Sequence, residues 1–328
     1  MARIVITGAT GFLGGQAAQY LSAAGHEILA LGRSPEKLAM LESRGIPAWR
    51  VDLGSEEAGS LVDTMGRADA LVHCAALSAP WGARQHFLRA NVTGTEAALK
   101  LARALHVRRF VNISSPAVYF APRDQLAVSE DHPLPPPINH YAETKSIAEK
   151  RVLACTEFGP VNLRPRGIYG RGDTALLPRL LEAARRGPLP LLRGGQAAID
   201  LTHVSDVVRA IEAALLAGPE VTGQTFNVSG GEIVSVRRIV ESACAAAGEP
   251  VRWRTMPLRP LMVVARLADA VQSRRPNARE PRLTPYALGL FAYRQSLDIG
   301  KARRMLDWRP AVTFEEGLSR TFAELAER

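Results

Sequence analysis

From Arg3 to about Leu163, short runs of aliphatic and β-branched residues alternate with longer stretches whose apolar positions recur three and four apart. That alternation predicts βαβ units, a parallel sheet covered by helices on both faces. Strands are expected at Ile4–Thr7, Glu27–Leu31, Pro47–Val51, Ala70–His73, Phe110–Ile113 and Val161–Leu163, each a compact apolar run suited to burial on two sides. Helices are expected at Phe12–Ala24, Pro35–Ser43, Arg84–His106 and Tyr141–Glu157. Beyond Arg164, proline, glycine and arginine become frequent. Helical stretches near Ala175–Arg186, Ser205–Leu216 and Ser235–Ala247 are separated there by irregular chain. The organisation expected is α/β: a doubly wound parallel sheet over 1–163 to which 196–218 returns, with a smaller C-terminal substrate lobe formed by 164–195 and 219–328. The proline-rich run from Asp131 to Pro137 predicts a stiff loop just before Tyr141.

Composition narrows the class. Of the 328 residues 47% are apolar and 22% charged, the balance of an ordinary folded protein. The formal charge of +9 comes largely from arginines in the second half, including Arg252, Arg254, Arg259, Arg274, Arg275, Arg279 and Arg282. Without a helix-turn-helix, zinc-finger or aromatic-interleaved basic pattern, that charge reads as solvated surface and not as a nucleic-acid interface. Cys74, Cys155 and Cys244 stand singly, with neither paired nor metal-ligand spacing, so a reducing cytoplasm and no metal are expected. The chain enters a strand almost at once, and its longest apolar run, Leu261–Val271, is far short of the ~20 residues a membrane span needs.

Between the first strand and first helix lies Thr7-Gly8-Ala9-Thr10-Gly11-Phe12-Leu13-Gly14. Gly8 suits a tight turn, Gly11 lets backbone approach a pyrophosphate, and Gly14 lets helix pack closely on strand. The helix N-terminus adds free N–H groups and partial positive charge. In its strand–turn–helix setting this is the Rossmann dinucleotide fingerprint. The second strand ends in Leu31-Gly32-Arg33-Ser34, without the acidic residue that would hold an NAD ribose. Arg33 offers a fork of donors to a 2′-phosphate, with Ser34 and Lys37 nearby, so NADP(H) is favoured over NAD(H).

Tyr141 and Lys145, four residues apart, share one helix face. A cation close to the phenol would lower its pKa from about 10 and allow proton transfer to or from a substrate oxygen. The fifth strand runs into Ser114-Ser115-Pro116-Ala117, which puts a hydroxyl at the strand end where ligands bind. Ser115 can then polarise the oxygen that Tyr141 protonates.

Taken in order, these motifs resemble the extended short-chain dehydrogenase/reductase family, also called the NAD-dependent epimerase/dehydratase family. So do Val51-Asp52-Leu53, His73-Cys74-Ala75-Ala76, Asn91-Val92-Thr93-Gly94-Thr95, Leu163-Arg164-Pro165-Arg166-Gly167-Ile168, Asp200–Val207 and Leu306-Asp307-Trp308-Arg309-Pro310. The resemblance implies a catalytic triad of Ser115, Tyr141 and Lys145. It implies cofactor contacts from Gly8, Thr10, Gly11, Phe12, Leu13, Arg33, Asp52, Leu53, Ala75, Ala76, Tyr141, Lys145 and Ile168, with Lys145 on the nicotinamide ribose. His73, His203 and Cys74 are read as structural or as cofactor wall. A homodimer formed by pairing two long helices is also implied.

Local departures bear on the reaction. Sugar 4,6-dehydratases of this family carry acids where this chain has Pro116 and Ala117. Nucleotide-sugar epimerases usually carry an Asn at the position of Gly167 and an Arg at that of Ile199. Losing that arginine forfeits a charge-assisted contact worth about 1.5–3 kcal/mol, although Arg193 could substitute. What remains is similar to the 3β-hydroxysteroid dehydrogenase-like branch and its bacterial 2-alkyl-3-ketoalkanoate reductases. The expected function is hydride exchange with a hydrophobic secondary alcohol or ketone, with Trp81, Ser115 and Arg166 on the substrate. The alternatives are a nucleotide-sugar epimerase or dehydratase, and a non-catalytic NADP(H) sensor.

Overall fold

Alternate residues along each central strand belong to two different cores. Ile4 and Ile6 of the first strand, Ile28 and Ala30 of the second and Ala70 and Val72 of the fourth pack on one face. Val5, Leu29, Leu31 and Leu71 pack on the other. The period of two turns an unbroken apolar run into a sheet buried on both sides. The computed structural model describes residues 1–55, 62–272, 280–281 and 283–323. Arg274, Arg275, Arg279 and Arg282 lie outside them.

Seven parallel strands form the main sheet: β1 (Arg3–Thr7), β2 (Glu27–Gly32), β3 (Ala48–Arg50), β4 (Ala70–His73), β5 (Arg109–Ile113), β6 (Pro160–Pro165) and β7 (Gln224–Val228). Their order is β3-β2-β1-β4-β5-β6-β7, a doubly wound Rossmann sheet whose strand order reverses beside β1. Six of these strands are the expected ones. β7 corrects the sequence reading, which had given its residues to the substrate lobe. Phe226 and Val228 are fully buried in the main core, and that burial draws the strand to the edge of the large sheet. Val204–Leu216 packs on the same core, while Ala198–Ile199, also read as returning to this domain, pairs in a second sheet.

A second, four-stranded sheet mixes chain regions: Val234–Ser235, Ala198–Ile199, Arg294–Leu297 and Gln125–Val128. Gln125–Val128 comes from the nucleotide-binding half, so this sheet joins the lobe to the end of the main sheet that carries Ser115.

The helix expected over 84–106 is broken into Arg84–Phe87, a π segment at Leu88–Thr93, and Gly94–Ala104. Asn91 supplies the cause. Its Oδ1 accepts from Leu77 N at 2.7 Å, while its Nδ2 donates to Leu77 O and Thr144 Oγ1 at 3.2 and 3.0 Å. A side chain so engaged favours a π-bulge, a feature frequent at functional sites. The Tyr141 helix runs from His140 to Leu153, starting one residue and ending four residues earlier than expected. Asn139 caps it by accepting from Ala142 N at 2.9 Å.

Beneath that helix, Glu149 and Arg164 form a bidentate pair at 2.7 and 2.6 Å, with side chains only 5% and 7% exposed. Breaking a buried pair from one side strands a charge. Glu149→Ala should therefore cost about 3–5 kcal/mol in chemical denaturation. Glu149→Leu combined with Arg164→Met should cost less than the single change. A loss below about 1 kcal/mol for Glu149→Ala, against that range, would contradict the assignment.

Candidate active site

The glycine loop is built by close approach. Gly8 has φ of +70°, and a Cβ there would lie 2.6 Å from Ala75 N. A Cβ on Gly14 would meet the Gly8 carbonyl oxygen at 2.3 Å. Only glycine fits either position, and the ends of β1 and β4 therefore touch through bare backbone. The helix Phe12–Ala23 starts at Gly11 with no side-chain cap, so its first N–H groups stay available to an anion. This cradle fits a dinucleotide pyrophosphate. Phe12 and Leu13 open the helix and pack partly against the core.

Around the cradle, Thr10 Oγ1 accepts from Arg33 N at 3.3 Å, which holds the exposed Arg33 at the end of β2. Ser34, expected beside a 2′-phosphate, caps the next helix and donates to Glu36 at 2.7 Å. A carboxylate thus stands close to Arg33 in sequence. Asp52 accepts from Gly54 N and from Arg89, each at 3.1 Å. The Leu53 side chain is core, and so in part is that of Ile168, while Ala75 N approaches Thr7 Oγ1 at 3.4 Å. Ala76 follows Ala75 just past the C-terminal end of β4.

His73 is a satisfied core residue. Its ring nitrogens reach Thr7 Oγ1 at 2.8 Å and Thr95 Oγ1 at 3.0 Å, and burial pushes its pKa down to about 3. Burial also raises the Cys74 thiol to about 12, which removes it as a nucleophile at neutral pH. His203 bonds Ser205 at 2.7 Å and packs edge-on against Tyr169.

Ser115, Tyr141 and Lys145 converge at the end of β5. Ser115 Oγ accepts from Ala117 N at 3.2 Å, where it caps a short 3₁₀ turn, Pro116–Tyr119, so its O–H is left to donate. Its hydroxyl and that of Ser78, which the sequence reading missed, face the Tyr141 phenol closely enough to pull its pKa down. Lys145 is buried, and its Nζ donates to the carbonyl of Ile113. Burial depresses its pKa to about 8, while the carboxylate of Glu149 works against that fall.

One expectation needs correcting. The Tyr141 phenol is pushed up from its ordinary value, by burial first, with the Ser115 and Ser78 hydroxyls pulling it down. Lys145 is not among the groups that move it, because the ammonium is turned to the main chain of β5.

Further residues near the site have defined partners. Tyr286, from the lobe helix Pro285–Ala292, packs edge-on against Phe120 with centroids 5.0 Å apart. Burial lifts its phenol to about 12, and Tyr141 adds to the rise. Trp81 donates to Asp269 at 2.7 Å, and Asn139 Nδ2 donates to the neighbouring Pro80 carbonyl at 3.1 Å. Arg166, expected on the substrate, is instead buried, with Nε 3.0 Å from Asp200 Oδ1 and Nη1 donating to Gln295 at 2.9 Å. Arg193, considered as a substitute cation, pairs with Asp124 at 2.7 Å. Among the described residues no cluster of His, Cys, Asp or Glu could hold a metal ion.

A family model described as the NAD dependent epimerase/dehydratase family matches residues 4–229, more than half of the chain. The chain belongs to this family. It is an enzyme family that works with a nicotinamide dinucleotide, and the glycine cradle is built for such a ligand. The chain is 32% identical to the 2-alkyl-3-oxoalkanoate reductase of Stenotrophomonas maltophilia, covering 99% of both chains. It is 33% identical to the 4-hydroxy-2-methyl-3-oxo-4-farnesyl-3,4-dihydroquinoline-1-oxide ketoreductase of Stigmatella aurantiaca, over 96% of this chain and 94% of that one. Among solved structures it resembles MoeE5 in complex with UDP-glucose and NAD, with a TM-score of 0.75, 26% identity and 99% of each chain covered.

If Tyr141 is the proton-transfer group, Tyr141→Phe should lower turnover by about 10²–10⁴ with dinucleotide affinity little changed. A loss below about tenfold would remove it from that role. The raised phenol also fixes a pH dependence. Below its pKa Tyr141 holds its proton and can donate, whereas alcohol oxidation needs the phenolate. Oxidation should therefore climb up to about tenfold per pH unit through neutrality, with ketone reduction nearly level. Parallel profiles for the two directions would contradict this.

Proposed function

We propose that this enzyme is a ketoreductase that exchanges hydride between a nicotinamide cofactor and a hydrophobic ketone or secondary alcohol, β-keto-acyl or steroid in type. The observation that carries the reading is the commitment of the arginines that the sequence puts beside the site. Arg164 pairs with Glu149, Arg166 with Asp200 and Arg193 with Asp124. A nucleoside diphosphate needs cations free to meet it. Freeing Arg164 or Arg166 would break a buried pair, at about 3–5 kcal/mol.

Two replacements support the same reading. Gly167 has φ of +52°, and a Cβ there would meet the end of the Leu201 side chain at 2.5 Å, so an asparagine in its place would have to displace an apolar neighbour. Pro116 and Ala117 are buried in the turn after Ser115, where a dehydratase would need acids. The ketoreductase names of the two relatives point the same way. The UDP-glucose held by MoeE5 favours the epimerase alternative, and the substrate panel below decides between them.

In this mechanism Tyr141 Oη gives its proton to the substrate oxygen during reduction and takes it back in oxidation. Ser115 donates to that oxygen and holds it at the phenol. Lys145, buried with its ammonium on the Ile113 carbonyl, is the residue that would hold the nicotinamide ribose, and Tyr286, held neutral by burial, closes the lobe side. The bound nicotinamide supplies or accepts the hydride.

The cofactor in this reading is NADP(H), on the strength of the exposed Arg33 guanidinium at the end of β2. The reading also includes a homodimer in the cytoplasm. Dissociation constants for both dinucleotides should favour the phosphorylated one, and Arg33→Asp should erase or reverse the preference. Equal affinities in the parent would sink the NADP(H) assignment. For the substrate, the cofactor-loaded protein should be stabilised and turned over by β-keto acids or 3-ketosteroids, not by UDP- or GDP-sugars. Saturable binding and epimerisation of a UDP-sugar, with no response to hydrophobic ketones, would overturn the ketoreductase reading.

A further inference from the structure

Exposed apolar side chains are normal when scattered. Here they are not evenly spread. Of the eleven exposed large apolar side chains among the described residues, four lie on one helix, Leu258–Gln272: Val263 (56%), Val264 (56%), Leu267 (62%) and Val271 (53%). Val263, Leu267 and Val271 follow one another at four-residue steps, with Val264 on the adjacent row, so together they make a single stripe.

The opposite side of the same helix is already occupied. Met262 and Ala265 are buried against Leu192, Leu288 and Ala292, and partly buried Leu258 and Leu261 join them. The stripe is therefore surplus to the core of the lobe. Arg259 and Arg266, seven residues apart and both exposed, flank it on one edge. Arg252 and Arg254 are exposed on the strand region that leads into the helix. The acid of this helix, Asp269, is only partly exposed and accepts from Trp81 at 2.7 Å, so it does not neutralise the flanking arginines.

We propose that the helix Leu258–Gln272 docks the protein on an anionic lipid bilayer. It lies in the headgroup layer, with Val263, Val264, Leu267 and Val271 toward the acyl chains and Arg259 and Arg266 on lipid phosphates. Its 15 residues make about 22 Å of helix, too little to cross a hydrocarbon core of about 30 Å, so it rests on the surface. Charge selects this occupant over a second copy of the chain. A two-fold contact on the stripe would bring Arg259 and Arg266 of both copies together, with no fully exposed carboxylate on the helix to meet them. Lipid phosphates supply that opposite charge. The inference does not rest on the proposed reaction, since it concerns binding and is read without turnover.

The test is co-flotation of the full chain with phosphatidylcholine vesicles, with and without phosphatidylglycerol, at low and high salt. Binding should need the anionic lipid and fall as salt rises. Arg259→Gln and Arg266→Gln should each weaken it by about fivefold. Leu267→Gln with Val271→Gln should weaken it at every salt concentration, with melting temperatures matching the parent to show that the fold is kept. Three results would each overturn the proposal: no preference for anionic vesicles, binding unchanged in these variants, or a parent dimer that Leu267→Gln converts to monomer in solution. The last would assign the stripe to self-association.

Discussion

Burial of the Lys145 ammonium is the constraint around which the active-site end of the fold is organised. A charge taken out of water is tolerated only where dipoles and opposing charges replace the solvent. The Ile113 carbonyl receives the ammonium directly, and Glu149, one helical turn on, opposes the fall in its pKa. Glu149 is at the same time clamped by Arg164, whose guanidinium bonds and stacks on Tyr119 with 4.6 Å to the ring centroid. Tyr119 donates to Asn227 Oδ1 at 3.1 Å, and Asn227 Nδ2 donates to the carbonyls of Val128 and Asp298. One polar chain thus runs from the Tyr141 helix, under the turn that aims Ser115, across β6 and β7 and into the small sheet. A change at one member is felt by the others because no water stands ready to replace a lost partner.

That network explains which parts of the site could be read from the sequence. Gly8, Gly14, Tyr141 and Lys145 are local signals, set by the spacing of residues within one turn or one helix. The two-sided strands were equally plain, because an uninterrupted apolar run has few other uses. Ser78 and Tyr286 were not legible, since a lone serine in a loop and a tyrosine in a lobe helix gain meaning only when distant elements fold onto Tyr141. β7 was missed for a related reason. Its Gln-Thr-Phe-Asn-Val sequence alternates like an exposed strand, and only long-range burial of Phe226 and Asn227 identifies it as part of the main sheet. The break in the 84–104 region is also tertiary in origin. Asn91 looks like an ordinary helical residue until its amide is seen bridging Leu77 and Thr144.

The structure also divides the work between the two halves of the chain. The sheet and its glycine cradle bind and orient, through backbone that only glycine permits. The lobe meets this platform through Tyr286 and through Asp269, which accepts from Trp81, while Arg164, Arg166 and Arg193 are committed to Glu149, Asp200 and Asp124.

The central claim is net hydride transfer at a carbonyl, with Tyr141 as the proton source. It is tested most directly by following deuterium from 4,4-dideuterated NADPH in a reaction with a hydrophobic β-keto acid, analysed by mass spectrometry. The account predicts one deuterium on the new carbinol carbon for each cofactor oxidised, and a signal reduced to background in Tyr141→Phe. Label that never reaches product, or full transfer by Tyr141→Phe, would contradict it.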